Sequence, residues 1–154
     1  MVKLDYPTDA EKAQWPPFDR VVKLEAPFVD ARGEIQPLVD MVMRSAVMIR
    51  SNPGSVRANH YHRTGWHFCY VIEGEIEYYH RPAGSTDTAE KITVGKGEMV
   101  FTPPMIEHSM LFVTETTFLT LDRNSRKQEV YEADVVRVDA LAEVAGLTTW
   151  KPGD

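Results

Sequence analysis

The stretch from Gly54 to Glu75 reads GSVRANHYHRTGWHFCYVIEGE and places three of the chain's five histidines within eight positions. Successive side chains of a strand point to opposite faces. His60 and His62 therefore share a face while Tyr61 points away. In the following run His67, Cys69 and Val71 share one face, and Trp66, Phe68, Tyr70 and Ile72 take the other. If both strands turn their histidine faces inward, three imidazoles meet inside one barrel. Downstream, in GEMVFTPPMIEHSM (Gly97–Met110), His108, Met110 and Phe112 begin the same alternation on a later strand. Convergent neutral imidazoles suit Zn, Fe, Mn, Ni or Cu. His80 reads as an ordinary strand residue near a turn.

Outward from this stretch, turn signals punctuate the chain: DARGE at Asp30, SNPGS at Ser51, IEGE at Ile72, RPAGSTD at Arg81, VGKGE at Val94 and TPPMIE at Thr102. Short runs rich in Val, Ile, Tyr, Phe and Thr lie between them, the pattern of an all-β sandwich or barrel. Residues 1–20 read as an N-terminal arm, 21–140 as the barrel and 141–154 as a C-terminal tail. Pro7, Pro16 and Pro17 exclude regular helix from the arm. VDALAEVAG (Val138–Gly146) is the one short helix candidate. Trp15 and Phe18 would be awkward in water, so the arm is expected to pack, on its own barrel or on a second subunit. Trp66 points out of the barrel by parity. A homodimer is expected, with Trp66 in its interface.

The chain has 154 residues, a formal net charge of −6, 43% hydrophobic and 26% charged residues. That fits one domain, able to bury roughly two-thirds of its unfolded surface. The acidic balance argues against nucleic-acid or anionic-membrane partners, which need clustered Lys and Arg. RNSRK (Arg123–Lys127) reads as a solvated turn. A single cysteine, Cys69, allows no intramolecular disulfide. No apolar run reaches bilayer length, and the first twenty residues carry acids and prolines instead of an apolar signal core. A cytoplasmic protein is expected.

The histidine stretch resembles the first motif of the cupins, G-x5-H-x-H-x3,4-E-x6-G, with Gly54, His60, His62 and Gly74 in place and His67 where the motif has Glu. The downstream stretch resembles their second motif, G-x5-P-x-G-x2-H-x3-N, with Gly97, Pro103 and His108 in place, Met105 at the Gly position and Phe112 at the Asn position. The resemblance implies an all-β fold, a single double-stranded β-helix or jelly-roll barrel. It also implies that His60, His62, His67 and His108 bind one divalent metal ion (Zn, Fe, Mn or Ni). Replacing Glu by His keeps a donor but removes a negative charge. The site would keep its +2 charge and favour an anionic substrate or a bound hydroxide.

A narrower likeness joins the chain to the cupins of nucleotide-sugar and capsular polysaccharide biosynthesis. Asp30, Arg32 and Gly33 match their D-x-R-G turn. Arg57, His60 and Tyr61 match their R-G-x-H-Y stretch, with Ala58 at the Gly position, and YEADVVRV (Tyr131–Val138) is similar to the tail of capsule-synthesis cupins. In the deoxysugar 3,5-epimerases of this group the His is a metal-free base, paired with an Asp and opposed by a Tyr acid; no partner Asp is assigned here. The implied roles are catalytic for His60 and Arg57, with Arg57 clamping a phosphate or carboxylate through its planar fork. Tyr78, Met99, Met110 and Phe112 are expected to line the substrate pocket together with Met105, and Cys69 to be a small buried hydrophobe. The leading expectation is an epimerase or isomerase of a sugar or sugar-nucleotide carbonyl compound, a small carbohydrate partner. The alternatives are a non-haem iron dioxygenase with a His-only site and a non-catalytic ligand-sensing cupin.

Overall fold

The turn signals fall where the chain reverses, and the runs between them form antiparallel strands. The computed structural model describes residues 2–141. A short hairpin, β1 (Phe28–Asp30) and β2 (Gly33–Ile35), precedes the main body. A four-stranded sheet then has the order β3 (Ser45–Ser51), β10 (Thr116–Asp122), β5 (His67–Glu73), β8 (Met99–Thr102). A five-stranded sheet has the order β11 (Val135–Arg137), β4 (Val56–His62), β9 (Ile106–Phe112), β6 (Glu75–Pro82), β7 (Glu90–Gly95). This is the expected jelly roll, with two facing sheets that are not closed into one continuous barrel.

The inner faces pack Cys69, Val71, Val100 and Phe118 of one sheet against Ile76, Tyr78, Val94 and Phe112 of the other. Gly74 alone connects β5 to β6 and so carries the chain from sheet to sheet. Its φ is +104°, and a Cβ there would lie 2.6 Å from the Glu115 carbonyl oxygen. Only glycine fits such a corner.

The arm packs on its own barrel. Trp66 lies on the outer face, as parity requires, yet it is only 2% exposed. Trp66, Phe68, Met99, Phe101 and Leu121 form a cluster that Trp15, Val22, Leu24, Val39 and Met41 cover from the N-terminal side. Each such buried side chain contributes roughly 1.5–3 kcal/mol. The covering corrects the expectation that Trp66 awaits a partner subunit. It also removes Met99 from the substrate pocket: Met99 pairs with Tyr70, and that register turns it outward.

Three other expectations change. The arm does hold a helical turn, α1 (Asp9–Lys12), because Thr8 and Glu11 form a reciprocal capping box between the prolines. A second helix, α2 (Gln128–Asp134), follows the RNSRK segment. Within that segment Arg123 is buried at 7% exposure, bound to Asp5 and Glu11 of the arm. Of the expected C-terminal helix, residues 138–141 are non-helical and the rest lies outside the described residues. No helix among the described residues is long and apolar enough to cross a membrane.

Candidate functional site

Regular alternation would put Arg57 and His60 on opposite faces of β4. A β-bulge changes this. β4 pairs with β9 as Arg57↔Met110 and Ala58↔Ser109, then His60↔His108, so Asn59 is the extra residue. Ala58 (φ 74°) and Asn59 (φ 56°) adopt left-handed backbone there, and the Asn59 side chain accepts the Ser109 hydroxyl. The inserted residue brings Arg57, His60 and His62 to one face. Met105, at the other substituted glycine position, also has a left-handed φ (66°). It is 49% exposed in the β8–β9 turn and does not line the site.

One metal-binding donor nitrogen from each of His60, His62 and His108 lies within 4.8 Å of the others. His67 stands beside this trio, its Nε2 3.2 Å from His108 Nε2, a spacing that suits either a hydrogen bond or two donors of one ion. The Cys69 thiol contacts His67 Nδ1 at 3.4 Å. The outer nitrogens of the trio are held from behind: His108 Nδ1 lies 3.0 Å from the Ile106 carbonyl oxygen and His62 Nδ1 lies 3.3 Å from Asp134 Oδ2. His62 and His108 thus have Nε2 on the side away from these partners, the arrangement in which histidines ligate metals. The trio fits a divalent ion on this ground. Burial, reinforced by the neighbouring imidazoles, pushes His60 and His67 well below the ordinary histidine value. Burial and the charge of His62 push His108 down to about 3, against the opposing pull of the Ile106 carbonyl. Neutral imidazoles are the form that binds metal or accepts a proton.

Asp134 is a site residue that the sequence did not reveal. It closes α2 and accepts the Thr64 amide at 2.7 Å, the Thr64 hydroxyl at 2.6 Å and the Gly65 amide at 3.1 Å. Burial pushes its carboxyl up, but the bonds from His62 and Thr64 outweigh this and hold it down at about 2. Its only sequence signal was the YEADVVRV tail, whose last strand returns to pair with β4.

The trio opens on a cavity of about 250 Å³. Arg57, Met110, Phe118, Asp122, Arg126, Tyr131 and Arg137 line it with the histidines. Arg57 donates to the Ser51 hydroxyl at 2.7 Å and to the Arg50 carbonyl at 3.2 Å, so it stands at the rim. Arg126 lies 4.5 Å from the Tyr131 ring, whose centroid is 5.6 Å from His62. Burial pushes the Tyr131 phenol up, so it keeps its proton at neutral pH. Asp122, also missed, is raised by burial despite its bond from Thr120. Of the four expected pocket residues, Met110 reaches the cavity. Tyr78 and Phe112 lie in the core behind it, where Tyr78 stacks on His108 and bonds to Thr102. His80 is buried and stacks on Tyr78.

Residues 47–124 match the cupin domain family. Comparison with curated protein sequences gives no match. Among solved structures, a mutant of the 3,4-ketoisomerase QdtA from Thermoanaerobacterium thermosaccharolyticum, in complex with TDP-4-keto-6-deoxyglucose, superposes with a TM-score of 0.62 at 14% identity, over 76% of this chain and 85% of that one. The dTDP-4-dehydrorhamnose 3,5-epimerase from Sulfolobus tokodaii gives 0.57 at 15%, over 70% and 77%. The capsular polysaccharide assembling protein CapF from Staphylococcus aureus gives 0.56 at 21%, over 77% and 35%. The fold is therefore shared with sugar-nucleotide isomerases and epimerases. With the motif histidines gathered in one lumen and more than half its length matching the family, the chain is a member of the cupin domain family.

Proposed function

We propose that the protein is an isomerase or epimerase of a keto sugar carried on a nucleoside diphosphate, with His62 as its proton-transferring base. The observation that carries this reading is the pairing of His62 with Asp134 at 3.3 Å, with the imidazole set between that carboxylate and the lumen. A carboxylate on Nδ1 fixes the tautomer and leaves Nε2 as acceptor. His62 Nε2 removes the proton from the carbon next to the substrate carbonyl. The electron pair moves onto the carbonyl oxygen, giving an enediolate. Tyr131, a neutral phenol beside His62, is placed to donate to that oxygen. Return of a proton to the same carbon from the other face epimerises it, with Tyr131 taking its proton back; return to the neighbouring carbon moves the carbonyl, the hydroxyl on the first carbon giving its proton to Tyr131. His60 shares the lumen and serves as the second imidazole. Arg57 and Arg126 give the rim its affinity for the diphosphate.

Were His60, His62 and His108 to hold a divalent ion (Zn, Fe, Mn or Ni), it would polarise a carbonyl oxygen, and His62 Nε2 would then be a ligand and not the base. The same three imidazoles, beside Met110 and Phe118, also support a ferrous dioxygenase of a small apolar substrate.

The test is turnover of TDP-4-keto-6-deoxyglucose in D2O, followed by proton NMR with and without oxygen and with and without chelator. Loss of the signal from the proton next to the carbonyl, independent of oxygen and at least 100-fold slower in His62→Ala, is expected. Oxygen consumption without solvent exchange would favour the dioxygenase. Tight binding without turnover would favour a sensor.

A further inference from the structure

We propose that the N-terminal arm belongs to the working site, and that Arg123 and Asn124 are positioning residues that transmit its docking to the Asp134–His62 pair. This rests on the reading of His62 as a functional group. The arm touches the body through a buried cation. Arg123 donates to the Asp5 carbonyl at 2.6 Å, to the Glu11 carboxylate at 3.1 and 3.3 Å and to the Asp5 carboxylate at 3.4 Å. Its fourth partner is Asn124 Oδ1, at 3.0 Å.

That last bond orients the Asn124 amide. With its oxygen committed to Arg123, its nitrogen must face the other way, and it donates to Thr64 Oγ1 at 3.0 Å and to Asp134 Oδ2 at 3.3 Å. Thr64 in turn donates its hydroxyl to Asp134 Oδ1. Asp134 Oδ2 is the oxygen that faces His62 Nδ1. An unbroken hydrogen-bonded path therefore runs from Asp5 and Glu11, through Arg123 and Asn124, to the imidazole.

Gly65 supports the path by having no side chain: a Cβ there would lie 2.9 Å from Asp134 Oδ2 and 3.1 Å from Asn124 Nδ2. If the arm lifts, Arg123 loses its two carboxylates and the Asp5 carbonyl, and water takes their place. Asn124 loses the contact that fixes its rotamer, and Asp134 loses one of the donors that aim it at His62. Networks of this kind behave as units because each bond orients the next.

The experiment uses the full chain with two variants. D5N/E11Q removes the two arm charges that face Arg123 with almost no change of shape, and Gln keeps the capping role of Glu11. N124A cuts the path itself. The primary readout is the His62 Nδ1–H resonance and its exchange with water in the metal-free protein, well below the melting transition. The second is the affinity for Zn(II) alone, by competition with a chromophoric chelator. Exchange of the His62 proton is expected to accelerate at least tenfold in both variants, and Zn(II) affinity to fall about 3- to 30-fold, somewhat less than for direct partners of a ligand. A role in stability alone would lower the melting temperature and leave both readouts unchanged. The proposal is overturned if the His62 resonance and its exchange rate stay at parent values in N124A, or in D5N/E11Q when the amides of residues 5–12 exchange freely. If the parent binds no Zn(II) and turns over no keto sugar, the functional reading fails instead, and the His62 resonance still reports on the path.

Discussion

Asp134→Asn removes the charge of the buried carboxylate with almost no change of shape. The amide can still accept from Thr64, but its NH2 faces the donors that Oδ2 now accepts: the Gly65 amide, the Asn124 amide and His62 Nδ1. The magnitude follows from the position of the carboxyl, held at about 2 against an ordinary 3.8. At 1.36 kcal/mol per tenfold this is about 2 kcal/mol of stability linked to the ionised form. Asp134 is only 3% exposed, so solvent screening removes little of it.

The sign follows from the direction of the shift. A carboxyl depressed in the fold contributes its full stability above the unfolded value near 4 and loses it as pH falls through 2. The assay is urea unfolding of parent and variant, read by tryptophan fluorescence at several pH values. Near pH 7 the variant is expected to be less stable by at least about 2 kcal/mol, or roughly 4–8 °C in melting temperature for a domain of this size. The gap narrows between pH 4 and pH 2, with about half of the linked part gone by pH 3. Subtracting the variant cancels the other carboxyls. A gap that stays constant over that range, or a variant as stable as the parent at neutral pH, refutes the assignment of Asp134 as an ionised, multiply bonded carboxylate. In activity the same substitution is expected to lower kcat by two orders of magnitude or more with a smaller change in KM, because it disturbs the His62 tautomer.

Elemental analysis separates a free His62 base from a ligated one: the base reading expects no resident divalent ion, whereas an ion present in the parent and absent from His60→Ala, His62→Ala and His108→Ala makes His62 a ligand. His67→Ala, which removes the residue beside the trio, should then keep the ion at lower affinity. Met105→Gly relieves a left-handed residue that is half exposed, and a gain of about 1 kcal/mol should show as a higher melting temperature. Gly74→Ala should cost several kcal/mol, since its new Cβ meets Thr116 and the Glu115 carbonyl at the sheet crossing. The hairpin leaves Phe28, Val29 and Ile35 each at least 59% exposed. Light scattering is expected to find a dimer, and F28D/I35D a monomer.

Much of the fold was legible because strand parity is a local property. His67, Cys69 and Val71 turn inward and Trp66, Phe68 and Tyr70 outward, as the alternation of β5 requires. What parity cannot give is which partner covers the outer face. Trp66 read as an interface residue because the sequence does not say that residues 15–41 fold back over it. Met99 was misplaced for a related reason: its side is set by pairing opposite Tyr70, a register between distant strands. Asp134 was illegible because its role comes from bonds to Thr64 and Gly65, about seventy residues away. The helical turn at Asp9–Lys12 had a readable signal in Thr8 and Glu11, outweighed by the surrounding prolines.

The two glycine positions that this chain fills with Ala58 and Met105 explain why the motif histidines alone do not define the site. Both residues keep the left-handed backbone, so what the motif glycines supply is a conformation and not a chemical group. At Ala58 that conformation begins the bulge, and the bulge lets Arg57 share a face with His60 and His62. An unbulged β4 would have to choose between the arginine at the rim and the imidazoles in the lumen. A left-handed non-glycine residue costs roughly 1–2 kcal/mol and persists only where the surroundings hold it. Here they do: Ser109 bonds the Asn59 side chain, and Val138, just beyond β11, donates to the Asn59 carbonyl. The strand that holds Asn59 therefore follows directly from the helix that delivers Asp134. One C-terminal segment fixes both the bulge that aims His62 and the carboxylate that orients it.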